Sequence, residues 1–138
     1  MESTMVLIKP DAVRRRLIGR IIERLEARGL TIRAMKMVRI SRELAEKHYA
    51  EHASRAFYPK LVSFMTSGPI VAMAVSGPAA VTLVRKMIGA TDPTESEPGS
   101  IRGEYSLDVT ENLVHGSDSP ESAASELALW FEQSDYVD

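Results

Sequence analysis

The sequence predicts an α/β chain of the α+β type, and three observations carry that prediction. Four short apolar runs of strand length fall at 5–8, 30–40, 70–75 and 113–115. Stretches with apolar residues at helical spacing lie between and after them, and Gly, Pro or Ser punctuates nearly every junction. At 138 residues the chain is expected to form one domain, 1–138, large enough to bury a core without staples.

Met5-Val6-Leu7-Ile8 is continuously apolar and is ended by Lys9-Pro10-Asp11, so it reads as a strand buried on both faces. Lys9 then stands at a strand end, where a lysine can bind phosphate but is more often simply solvated; solvation is the expectation from the residue alone. Val13, Leu17, Ile18, Ile21, Ile22 and Leu25 follow at helical spacing, with a break expected near Gly19 and a stop at Gly29. Arg14-Arg15-Arg16 opens this helix against its dipole and reads as a solvated edge or a subunit contact.

The second strand, 30–40, alternates apolar and basic residues and slips near Ala34-Met35, which predicts a bulge. Ser41 caps a helix bearing Leu44, Ala45, His48 and Tyr49. His48 and His52 have the spacing of a metal pair, yet no glutamate motif or third ligand accompanies them, so they read as structural or surface residues. Pro59 opens the next helix, through Met65, and Phe57 lies in the loop before it, where a ring can stack a base or cap a core. Residues 70–75 give the third strand and 77–89 a helix.

Residues 90–104 form the one long irregular segment, and Thr91 and Arg102 within it, with Arg85 just before, could converge on phosphate or merely decorate the surface. The last strand delivers His115 at its end, and a helix starting at Ser119-Pro120-Glu121 closes the chain with Leu127 and Trp130 on its buried side. Four strands with crossing helices on one face give a ferredoxin-like split βαβ core: a four-stranded antiparallel sheet covered by helices.

Composition narrows the function. The chain has no cysteine, which removes disulfides, thiolate metal sites and thiol nucleophiles and suits a reducing compartment. Its net charge is −2 with dispersed basic residues, so a dedicated nucleic-acid reader is not expected. No export signal is read, and the most apolar window, 69–75, is too short for a membrane span. Chemistry concentrates in Asn112-Leu113-Val114-His115-Gly116-Ser117-Asp118, where an imidazole that can attack phosphorus is surrounded by carboxamide, hydroxyl and carboxylate groups.

Six ordered segments together resemble the nucleoside diphosphate kinase family. They are Val6-Leu7-Ile8-Lys9-Pro10-Asp11, Ala50-Glu51-His52, Thr66-Ser67-Gly68-Pro69, Gly89-Ala90-Thr91-Asp92-Pro93, Pro98-Gly99-Ser100-Ile101-Arg102-Gly103 and the 112–118 heptapeptide. The resemblance implies ping-pong phosphoryl transfer through a phosphohistidine at His115, on Nδ1, with Glu126 orienting the ring and Ser117 supporting it. It further implies that Lys9, Tyr49, Arg85, Thr91, Arg102 and Asn112 hold phosphates and the sugar hydroxyl, and that Phe57 stacks the base. Mg²⁺ is implied as a cofactor carried by the nucleotide phosphates, with no direct protein ligand and Asp118 associated through water.

The implied partners are nucleoside triphosphates and diphosphates and further copies of the chain, as a homotetramer or homohexamer built from dimers. A cytoplasmic location is implied as well. A binding module without chemistry would not need histidine, glutamate and serine at one point, and a scaffold-only relative would show lesions at the matched positions. The sequence departs from the family at Ala12 and Arg16, where glycine is common, at Thr110-Glu111, where Gly-Arg is frequent, and at Ser100, where threonine is frequent. Arg102, read as an exposed loop cation, is expected to matter more for turnover than for stability.

Overall fold

The computed structural model describes residues 1–138. Its frame is a four-stranded antiparallel sheet of β1 (Glu2–Ile8), β2 (Thr31–Val38), β3 (Ile70–Gly77) and β4 (Val114–Gly116), in the order β2-β3-β1-β4. Each crossover skips one strand, as a split β-α-β core requires. The apolar runs explain the order. β1 and β3 are buried on both faces over nearly their whole length and take the centre, whereas β2, with its alternating basic residues, and the short β4 take the edges.

The crossing helices lie on one face. Helix α1 (Pro10–Arg14) and α2 (Ile18–Ala27) follow β1, and α5 (Ala80–Ile88) follows β3. They bring Ala12, Ile21, Leu25, Val84 and Ile88 onto Val6, Ile8, Val71, Met73 and Val75. Full burial of an aliphatic side chain such as Ile21 or Leu25 contributes about 1.5–3 kcal/mol. The other face is covered by the hairpin of α3 (Arg42–His48) and α4 (Tyr58–Met65), together with the C-terminal helix α7 (Pro120–Trp130). There Met5, Leu7, Ala72 and Ala74 meet Ala45, Tyr49, Val62, Met65 and Trp130.

Local signals placed most boundaries. Ser41 accepts from the Leu44 amide and Ser119 from the Ser122 amide, each capping its helix as expected. The bulge in β2 falls between Ile32 and Ala34. The first helical stretch breaks earlier than Gly19: α1 ends at Arg14 and α2 begins at Ile18, because Arg16 turns the chain with φ 61°. An L side chain is strained in that left-handed turn.

The segment 90–104 is less irregular than its composition suggests. A 3-10 turn spans Pro93–Glu95, and a short helix α6 (Ile101–Tyr105) begins at Ser100, whose hydroxyl accepts from the Gly103 amide. Gly103 is obligatory here, because a Cβ would collide with the Glu97 carbonyl oxygen.

Candidate active site

His115 sits opposite Leu7 in the β1–β4 pairing, so its side chain emerges on the sheet face covered by α3 and α7. Helix α7 packs back over β1 and brings Glu126 to it: Nε2 of His115 and Oε1 of Glu126 are 2.9 Å apart. The Ser117 hydroxyl donates to the same Oε1 at 2.8 Å and accepts from the Met5 amide at 3.2 Å. Burial works to raise the Glu126 carboxyl, but the hydrogen bond and charge of His115 and the Ser117 hydroxyl outweigh it and hold it below the usual range. An ionised carboxylate can only accept, so Nε2 carries a proton and, in the neutral ring, Nδ1 keeps its lone pair.

Lys9 continues the alternation of Met5 and Leu7 in extended backbone and is buried, which corrects the expectation of a solvated strand end. Its Nζ donates to Asn112 Oδ1 at 2.8 Å. Burial, reinforced by the charge of Arg102 and opposed by Asp11, lowers its pKa to about 7. Asn112 Nδ2 in turn donates to the carbonyls of Thr91 and Val109, both at 3.0 Å, so Thr91 meets the site through its backbone while its side chain stays exposed.

Arg102 is the larger correction. It is not an exposed loop cation but a buried residue of α6, 4% accessible. Nε donates to the Asn112 carbonyl at 3.2 Å, Nη1 to Gly89 at 3.0 Å and Nη2 to Val114 at 2.7 Å. Three of its five N–H groups therefore hold backbone, and burial, with the charge of Arg85, lowers its pKa to about 10. Arg85 donates to Asp118 Oδ1 at 2.7 Å in a half-exposed pair. A broad charged groove lined by Arg24, Arg28, Lys86, Glu95 and Glu97 meets the site only at Arg85 and Asp118.

Tyr49 is buried with no hydrogen-bond partner for its hydroxyl, and burial together with the charge of Glu126 raises its pKa. Phe57 is 43% exposed, with its ring against His52 at 5.4 Å and under Arg55. Glu111 pairs with Arg14 at 3.5 Å on the surface.

His48, read from the sequence as a structural or surface residue, is structural and adjoins the reactive ring. Its ring lies edge-on to His115, with centroids 4.8 Å apart, and Nδ1 accepts from the Trp130 indole N–H at 3.0 Å. Burial, then the charge of His115, lowers its pKa to about 3. His48, His115 and Glu126 offer donor atoms within 4.8 Å of one another, close enough for a metal. The indole N–H argues against that use, because a ligating Nε2 would move the His48 proton to Nδ1 and set two donors face to face. The available signal was its neighbour Tyr49, a matched position one residue on.

A bare imidazole nitrogen backed by a carboxylate, with lysine and arginine folded around it, is the equipment of a phosphoryl-transfer enzyme. Comparison with known proteins gives the family. The nucleoside diphosphate kinase family matches residues 2–136. The chain is 61% identical to the nucleoside diphosphate kinase of Rubrobacter xylanophilus over 95% of this chain and 98% of that one, and 52% identical to that of Methanocaldococcus jannaschii over 99% and 98%.

Among solved structures, the Halobacterium salinarum enzyme in complex with CDP superposes with a TM-score of 0.97 at 47% identity, covering 99% of this chain and 91% of that one. The Aquifex aeolicus enzyme gives 0.96 at 40% identity, covering 99% of both. This chain belongs to the nucleoside diphosphate kinase family.

Proposed function

We propose that His115 carries the phosphoryl group in this kinase, which moves the terminal phosphoryl of a nucleoside triphosphate to a nucleoside diphosphate in two displacements. In the first, the Nδ1 lone pair attacks the γ-phosphorus and an Nδ1–P bond forms as the bond to the β–γ bridging oxygen breaks. The diphosphate leaves with that electron pair. In the second, a terminal oxygen of the incoming diphosphate attacks the same phosphorus and the Nδ1–P bond breaks, restoring the imidazole. Glu126 holds the ring through Nε2–H and offsets the positive charge the ring acquires. The observation that carries this reading is the 2.9 Å contact of Nε2 with Glu126, which leaves Nδ1 free.

Lys9, Arg85 and Arg102 supply positive charge around phosphate oxygens, with Tyr49, Thr91 and Asn112 as hydrogen-bonding partners for phosphate and sugar. Phe57 stacks the base, and the exposure of its ring beside His52 and Arg55 supports that role. Magnesium bound to the nucleotide would neutralise phosphate charge, and Asp118 would meet it through water. Support for a nucleotide-borne metal is that His115 and the donors grouped with it, His48 and Glu126, make two imidazoles and one carboxylate, not the oxygen cage Mg²⁺ favours.

In this reading residues 1–138 act as one catalytic domain, the chain assembles with copies of itself, and it works in the cytoplasm. Exposed Met35 and Met37 on the edge strand β2 support self-association, and no helix is long and apolar enough to cross a membrane.

Incubation with labelled ATP and Mg²⁺ tests the mechanism. It should yield an acid-labile, base-stable phosphoenzyme that discharges onto added nucleoside diphosphate, and His115→Ala should yield none. Full turnover by that variant would overturn the assignment.

A further inference from the structure

Two residues before His115 the backbone does something the sequence gives no reason for. Leu113 has φ 77°, in the left-handed region, and the Val114 amide donates to the Asn112 carbonyl across it at 2.9 Å. This is a γ-turn of the strained hand, at a residue with a branched, fully buried side chain. Such a turn persists only where its surroundings over-determine it, and here they do. The Lys9 amide donates to the Leu113 carbonyl at 2.8 Å, and Arg102 binds the carbonyls on either side, those of Asn112 and Val114.

One group in this set accepts rather than donates. Asp11, 4% exposed at the start of α1, takes the Leu113 amide on Oδ2 at 3.1 Å, while its Oδ1 has no partner. A buried carboxyl with an unpartnered oxygen is costly, and burial accordingly raises its pKa. In the phosphoryl transfer this carboxylate touches no reacting group, although its charge opposes the lowering of the Lys9 pKa. Its hydrogen bond to the 112–118 segment is to the Leu113 amide, at the tip of the strained turn.

We propose that Asp11 is a positioning residue for His115, its carboxylate holding the γ-turn at Leu113 closed and thereby setting where β4 begins and where the imidazole stands. This rests on the reading of His115 as the nucleophile. Val114 pairs with Ile8 and His115 with Leu7, so a turn that opens at Leu113 lets the register of a three-residue strand shift beneath the reactive ring. Ångström-scale displacement of an aligned nucleophile lowers rate more than affinity.

The test compares Asp11→Ala, which removes the acceptor, with Asp11→Asn, which keeps an oxygen for the Leu113 amide but not the charge. Single-turnover phosphoenzyme formation from ATP and Mg²⁺ should slow about tenfold or more in Asp11→Ala, with ATP affinity held within about twofold, and Asp11→Asn should recover most of the rate. Equal slowing in both variants would mean that charge, not position, is what Asp11 supplies, and would overturn the proposal, as would an unchanged rate in Asp11→Ala. If Asp11→Ala does not fold, hydrogen exchange of the Leu113 amide in the unmutated protein decides: protection at least matching the amides of β4 supports the clamp, and exchange faster than theirs overturns it. Failure of the nucleophile reading is read separately, as label retained in His115→Ala.

Discussion

The indole N–H of Trp130 donates to Nδ1 of His48 at 3.0 Å, which puts the single His48 proton on Nε2 and fixes that ring against His115. A neutral imidazole thus stands beside the reactive one, and the last turn of α7 is joined to the last residue of α3.

That arrangement sets an acid dependence. The His48 pKa is lowered from 6.5 to about 3 by burial and by the His115 charge, so the unfolded chain takes up this proton first as pH falls. The contribution is fully present above pH 6.5 and is lost progressively toward pH 3. Glu126, also lowered, adds its loss only below about 4.5. Urea midpoints should therefore fall between pH 6.5 and 4.5, and His48→Asn, which keeps an acceptor for the indole, should flatten that part of the curve.

Lys9 gives a second pH signature, in binding. With its pKa near 7 in the free protein, much of the amine is neutral at pH 8, and a bound polyphosphate draws the proton back. Calorimetry of nucleoside diphosphate binding at pH 8, in buffers of different ionisation enthalpy, should show uptake approaching about one proton. Lys9→Met should abolish it, and affinity should weaken as pH rises above 7.

Arg102→Ala should cost stability as well as rate. Three backbone carbonyls lose their buried donors, a loss of about 2–4 kcal/mol measurable by denaturant unfolding. Arg102→Lys should recover little, because an ammonium cannot reach three carbonyls spread around a planar fork.

Arg16→Gly should do the opposite. The side chain is exposed and φ is 61°, so glycine relieves strain at a modest entropic cost, for a net gain of about 0.5–1 kcal/mol. Turnover should not change.

The fold was legible because its signals are local: apolar runs, caps at Ser41 and Ser119, and the alternation slip in β2 each act within a few residues. The site was legible as a set of residue types, through likeness to a family, and less so as an environment. Lys9 and Arg102 read as solvated because cations usually are; only the meeting of α6 with the 112–114 turn buries Arg102 and hands its donors to carbonyls. Leu113 carries no preference for a left-handed backbone, so its turn is imposed by tertiary contacts and invisible in the sequence. His48 looked like half of a failed metal pair because its real partner, Trp130, lies 82 positions away.

β4 spans three residues and pairs with β1 alone, whereas β1 and β3 share seven paired positions. The reactive ring thus rides on the most weakly anchored margin of a strongly knit sheet. In rising denaturant, phosphate exchange should vanish while the far-ultraviolet signal of the central strands is still intact. Loss of function and loss of fold are then two separate events in this molecule, and the first is the gentler one.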